Sequence, residues 1–314
     1  MRPPSKHKKS NPVVWGADPP LLRLCGEFFL LKLRFRRKVI IMTLWEAFLC
    51  GILQGLAEFL PISSSGHLAL AHTFFGIEST ENLLSFDILL HLATLAVVFM
   101  VYYKDIFALV AAFFSVTGKL FRGKFRYAAL SEDEKTVLLL ILATLPLAAA
   151  FFVKDAVEFL SGYARAVGIV LVLNGFLLLL ADLFAKKRGE RLLSPKGAFF
   201  VGLFQVMALV PGLSRSGSTI AGGMLFGLSR KHAVRFSFLM SIPAVLGANI
   251  VNIPDVWGAP SADVTLACAL VGMGAAFVSG FLAIRLLTYI AKKETFGFFA
   301  YYCIIVGAVA AIFG

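Results

Sequence analysis

A carboxylate, three consecutive hydroxyls and an imidazole fall within ten residues of one another in Gly51–His67, GILQGLAEFLPISSSGH. Glu58 stands in apolar surroundings, with Gln54 four residues before it on the same helical face. An ionisable side chain in such a segment is costly to hold and is read by default as functional. After the break at Pro61, Ser63, Ser64, Ser65 and Gly66 suit a helix start, where free amides bind phosphate oxygens. A serine hydroxyl there can attack or donate, and the His67 imidazole can move a proton near neutral pH. Glu58 has no basic neighbour within a helical turn, so its partner must come from elsewhere in the chain.

A second broken stretch supplies the cation. Arg215 lies in Gly212-Leu213-Ser214-Arg215-Ser216-Gly217-Ser218-Thr219. Its planar guanidinium matches phosphate oxygens, and the small residues around it let backbone amides approach an anion. An arginine at membrane depth costs at least about 2.5–3.5 kcal/mol on insertion scales, so it needs a task. Joined, the two stretches place Glu58, Ser64, His67 and Arg215 in catalytic roles. Ser63, Ser65, Gly66, Ser214, Ser216 and Thr219 are the substrate-binding set. That inventory fits phosphoryl transfer: an anion cradle, a cation for transition-state charge, a nucleophile or base, and a carboxylate for a divalent metal. Whether Ser64 or His67 is the nucleophile stays open. Asp87 and His91, also four apart, read as supporting or interface groups, and Asn174, Asn249 and Asn252 as bridges between helices.

The elements that hold these residues are membrane helices. Of 314 residues, 59% are hydrophobic and 15% charged, against about 45–50% and 25% in soluble domains. The net charge of +12 does not mark a nucleic-acid binder, because +8 of it lies in residues 1–41 and the rest in short loops between apolar runs, as in cytoplasmic loops. Residues 1–41 are read as a basic extension outside the fold, and 42–314 as one membrane domain. Cys25, Cys50, Cys268 and Cys303 lie singly and read as small apolar fillers. Capping boxes are expected at Thr43/Glu46 and Ser131/Glu134. About six full spans are expected, near 86–103, 136–153, 164–184, 236–253, 264–290 and 296–313, with a polar loop over 104–135.

Shifted by 151 residues, the chain overlies itself. Six of 17 positions match between 51–67 and 202–218: Gly51/Gly202, Gln54/Gln205, Ala57/Ala208, Ser63/Ser214, Ser65/Ser216 and Gly66/Gly217. The basic loops put the first broken hairpin on the outer side and the second on the inner side. An all-α, inverted-topology repeat is therefore expected (about 42–153 and 164–314), its two re-entrant hairpins meeting near the midplane.

At these residues the chain resembles the undecaprenyl-diphosphatase family, the bacitracin-resistance membrane phosphatases. The motifs are (E/Q)xxxE with FLP-x-SSS-GH, here Gln54–His67, and PGxSRSxxT, here Pro211–Thr219. The likeness covers essentially all of 42–314, including the FD…HL pattern at Phe86–Leu92. It implies a bacterial inner-membrane enzyme that hydrolyses undecaprenyl diphosphate to the monophosphate, recycling the lipid carrier of peptidoglycan synthesis. The same likeness implies a site facing the outer side and a divalent cation, Mg or Ca. Glu58 would be the metal ligand with Gln54 beside it, Ser64 and His67 the nucleophile and acid/base candidates, and Arg215 the diphosphate clamp with Ser214 and Thr219. The rival expectation is a lipid-phosphate transporter, since inverted repeats with broken helices are also the architecture of carriers.

Overall fold

The computed structural model of the chain describes residues 42–75, 81–152, 159–160, 162–185, 193–257, 264–293 and 295–314. The expected extension 1–41 and Cys25 lie outside the described residues. Eleven α-helices and no strand occur among them. They are α1 Leu44–Phe59, α2 Ser64–Phe75, α3 Glu81–Val101, α4 Tyr103–Phe121, α5 Glu132–Thr144, α6 Ala164–Ala185, α7 Pro195–Met207, α8 Arg215–Leu225, α9 Arg230–Trp257, α10 Leu266–Lys293 and α11 Gly297–Phe313. A 3-10 segment, Leu145–Phe152, continues α5.

Both capping boxes form. The Thr43 hydroxyl accepts from the Glu46 amide while the Glu46 carboxylate accepts from the Thr43 amide, and Ser131 and Glu134 repeat the pattern. Each ties up two amides that a helix start leaves without intrahelical partners. Glu134 is also buried against Ser115 and Lys119 of α4, fastening α4 to α5. Asp182 near the end of α6 accepts from Arg230 Nε at 2.8 Å and from the Phe296 amide. One carboxylate thereby joins α6, the start of α9 and the start of α11.

Three helices are long and apolar enough to cross a membrane, at Ala164–Phe184, Arg230–Val251 and Leu266–Lys292, or four if the bent pair α3–α4 counts as one. The chain is thus a multi-pass membrane protein. The sequence expectation of a polar loop over 104–135 is corrected by α4, which turns 84° from α3. Lys104, Asp105 and Lys119 make this stretch read as polar, yet Phe107, Val110, Phe113 and Phe114 form an exposed apolar surface on it.

The first helix of each broken stretch packs on an element distant in sequence. α1 lies along α10, and α7 lies along α5 and its 3-10 continuation. Two glycines related by the 151-residue shift make these approaches. A Cβ on Gly51 would stand 2.3 Å from the Gly272 carbonyl oxygen, and one on Gly202 would stand 2.3 Å from that of Ala143. Small residues at such crossings let membrane helices pack backbone to backbone. The main apolar core sits around the breaks, with Phe59 and Phe238 edge to face at 5.5 Å. Cys50, Cys268 and Cys303 are buried and free, as fillers should be.

Candidate active site

The two breaks abut. α1 ends at Phe59 and α2 begins at Ser64; α7 ends at Met207 and α8 begins at Arg215. A Cβ on Gly66 would meet Gly212 Cα at 2.9 Å, so the two backbones touch where a side chain would not fit. Gly212 has φ +98, a conformation open chiefly to glycine. Asn174 of α6, fully buried, fastens both segments. Its amide donates to the Pro61 carbonyl at 3.0 Å, and its carbonyl accepts the Ser214 amide at 3.1 Å. Ser216 Oγ adds a direct link between the breaks, donating to the Leu60 carbonyl at 3.2 Å.

Across this seam Glu58 and Arg215 meet. Arg215 Nη2 donates to Glu58 Oε1, pairing a carboxylate at the end of α1 with a guanidinium at the start of α8. Glu58 Oε2 accepts from Gln54 Nε2 at 3.0 Å and from Ser64 Oγ at 2.9 Å. His91 Nε2 of α3 lies 3.6 Å away, its other nitrogen held by the Asp87 carbonyl at 2.7 Å. Glu58 is 6% exposed; a buried carboxylate is tolerable only with such partners. Glu58, Ser64, Ser65, Asp87, His91 and Arg215 all border one cavity of about 1410 Å³. The rest of its wall is mainly apolar, including Ile106, Leu109, Phe113, Leu140 and Ile141.

The other predicted site residues are placed differently. Ser63 and Ser214 hold the helix starts: Ser63 Oγ accepts the Gly66 amide at 3.2 Å, and Ser214 Oγ accepts the Gly217 amide at 3.0 Å. Thr219 Oγ1 is turned onto the Arg215 carbonyl and onto Ser237 Oγ, 2.6 Å away. Ser63, Ser214, Ser216 and Thr219 are all buried and support the seam rather than border the cavity. His67 is also off the cavity wall. Its Nδ1 donates to the Ser63 carbonyl at 2.8 Å and its Nε2 accepts from the Tyr302 hydroxyl at 3.0 Å, the two rings stacked at 5.6 Å. With both nitrogens committed, it steadies the first break and makes no contact with Ser64.

Asp87 and His91, read from their i, i+4 spacing as supporting or interface groups, both border the cavity, and His91 stands beside Glu58 as a supporting group would. Asn174 bridges helices as expected. Asn249 instead borders the cavity with its amide nitrogen unpartnered, and the side chain of Asn252 lies outside the described residues.

Two broken helix pairs bring an acid, a hydroxyl and an arginine to the polar end of an apolar cavity, and this defines a membrane-embedded helical protein built to handle an anionic group on an apolar body. Comparison with known sequences narrows the class. Residues 47–309 match the family model described as bacitracin resistance protein BacA, and the chain belongs to that family. It is 40% identical over 274 residues to an undecaprenyl-diphosphatase of Alkaliphilus metalliredigens, covering 87% of this chain and 99% of the relative. An undecaprenyl-diphosphatase of Parabacteroides distasonis is 40% identical, covering 85% and 97%. One of Methanobrevibacter smithii is 38% identical, covering 85% and 96%.

Proposed function

We infer that this chain hydrolyses undecaprenyl diphosphate to undecaprenyl phosphate and inorganic phosphate, an activity that recycles the lipid carrier and confers bacitracin resistance. The observation that carries the reading is the single cavity in which Glu58, Ser64 and Arg215 form the polar end of a largely apolar wall. An apolar chain occupies that wall while the diphosphate meets the arginine. Relatives covered almost end to end bear the name of this activity.

Ser64 is the nucleophile in this reading. Its hydroxyl already donates to Glu58, so the carboxylate is positioned to take the proton as Oγ attacks the terminal phosphorus. The bond between that phosphorus and the bridging oxygen breaks, and undecaprenyl phosphate leaves. Water then attacks the phosphoserine, inorganic phosphate departs, and the proton returns to Ser64. Arg215 neutralises charge on the transferring group, and its Nη1, buried and without a partner, is a free donor toward it. His67 keeps the Ser63 carbonyl, and with it the start of α2, in place.

A divalent cation fits this donor set in one way. No group of three or more His, Cys, Asp or Glu side chains that could hold a metal occurs among the described residues. Mg²⁺ is commonly held by one or two carboxylates plus substrate phosphates, and Glu58, which borders the cavity, would supply such a carboxylate, while Gln54 is off the cavity wall and donates its Nε2 to Glu58. Bound there, the ion would offset the charge of the diphosphate.

The proposal extends to six spans and an inverted repeat whose site opens to the outer face of the inner membrane. Three features support it: the seating of α1 by Gly51 and of α7 by Gly202, the contact of Gly66 with Gly212, and the placing of basic loops. A carrier needs the arginine but has no use for a hydroxyl held on a carboxylate, which favours hydrolysis over transport.

Phosphate release from undecaprenyl diphosphate in detergent is the test, since detergent leaves no two sides to transport between. The parent should release phosphate with Mg²⁺ or Ca²⁺ and stop on chelation. Arg215→Ala should be slower by at least about 10³-fold, as when a transition-state clamp is lost. Release by Arg215→Ala at the parent's rate would overturn the assignment.

A further inference from the structure

The cavity has a second polar place that the reaction above does not use. Gln205 of α7 is 1% exposed and borders the cavity, and neither atom of its amide has a partner. Asn249 of α9 is 8% exposed and borders the same cavity with Nδ2 unpartnered. A buried amide without a partner costs about 1–3 kcal/mol. Two of them bordering one cavity imply a ligand that hydrogen-bonds there.

The 151-residue repeat says what kind. Gln205 stands where Gln54 stands in the first half, and Gln54 Nε2 donates to the Glu58 carboxylate four residues on. The residue four after Gln205 is Leu209, which also borders the cavity. The second stretch has the amide donor at Gln205 and, at Leu209, no oxyanion for it to serve. We propose that Gln205 and Asn249 form a second, uncharged subsite of the cavity that takes phosphoryl oxygens in place of that missing carboxylate. The inference rests on the reading that a phosphorylated lipid enters this cavity. Uncharged donors suit the place, because Arg215 is already engaged by Glu58 and a second buried cation would need its own partner. The carboxyls of Glu58 and Asp87 on the same wall oppose an anion, so the subsite works only together with the guanidinium. The phosphoryl oxygens are those of the lipid headgroup or those of the inorganic phosphate released from it.

The test compares the parent with Gln205→Met, Gln205→Glu and Asn249→Leu in detergent, each first checked for a single elution peak and a cooperative unfolding transition. Steady-state phosphate release gives kcat and KM for undecaprenyl diphosphate, and added inorganic phosphate gives its inhibition constant. Removing one hydrogen bond to a charged oxygen should raise the affected constant by about tenfold or more, with kcat falling less, and Gln205→Glu should exceed Gln205→Met because it adds a repelling carboxylate. A rise in KM assigns the subsite to the lipid headgroup, whereas a rise in the phosphate inhibition constant at unchanged KM assigns it to the released product. Both constants within twofold of the parent's in every folded variant would overturn the proposal. Should the parent release no phosphate, the proposed function fails on its own. The subsite is then read from the rise in unfolding temperature that inorganic phosphate gives the parent: its absence in Gln205→Glu sustains the subsite, and an equal rise in both proteins removes it.

Discussion

The first break and the second are built alike and equipped differently. Three of the six pairs that match across the 151-residue shift make the helix start: Ser63 and Ser214 accept the amides of Gly66 and Gly217, and Ser65 and Ser216 lie beside them at 3.4 and 3.1 Å. The positions that differ carry the chemistry. Glu58 corresponds to Leu209 and Ser64 to Arg215. The differences follow from electrostatics: two acids or two arginines facing each other across the seam would repel, whereas one of each forms a buried pair. The asymmetry is what turns a structural seam into a reactive one.

The largest effect should come from making the halves alike. Glu58→Leu gives the first half the residue of the second, and Arg215→Ser does the reverse. Each alone leaves a buried charge without its partner and should cost about 3–5 kcal/mol of stability, with phosphate release lost. Combined, they remove both charges, and the double variant should fall short of the summed losses by up to about 3 kcal/mol. Denaturant unfolding in detergent measures all three. Additive losses would mean that the pair across the seam does not act as a unit.

Much of this seam was readable from residue types. Ser, Gly and Pro mark the breaks because they cap and interrupt helices, and buried Glu and Arg announce each other by their cost. What escaped were properties of placement. α4 carries Lys104, Asp105 and Lys119 at its ends, so its stretch reads as a loop, although the helix between them is apolar on its exposed side. His67 looks catalytic beside three serines, yet a turn of helix aims it at Tyr302, 235 residues away in sequence. His91 reaches Glu58 from another helix, and no local pattern records that. Gln205 was visible only as a repeat match; that it lacks the carboxylate of its counterpart becomes meaningful once it borders the cavity.

Asn174 tests whether the halves are held as equals. It satisfies the Pro61 carbonyl in one break and the Ser214 amide in the other. Asn174→Leu keeps the volume and leaves both groups without that partner, for about 2–6 kcal/mol at 1–3 each. Hydrogen exchange should quicken at the start of α2 and of α8 together. Loss of protection on one side alone would show that only that half depends on α6.

The smallest effect is the sharpest, because it should change sign between the halves. Ser63 sits at φ +74, a left-handed conformation that costs a residue with a Cβ about 1–2 kcal/mol. Ser214 caps its helix from φ −71, where no such cost applies. Exchanging a serine cap for glycine loses only a few tenths of a kcal/mol. At Ser63 that loss and the added freedom of the unfolded chain are outweighed by release of the strained backbone, so Ser63→Gly should stabilise by up to about 1 kcal/mol. At Ser214 nothing is released, and Ser214→Gly should destabilise by a few tenths plus the added freedom of the unfolded chain. Unfolding temperatures of the two variants in the same detergent decide it. Shifts of the same sign would mean that the backbone of the first break is not strained where Ser63 holds it, and that the two helix starts are equivalent after all.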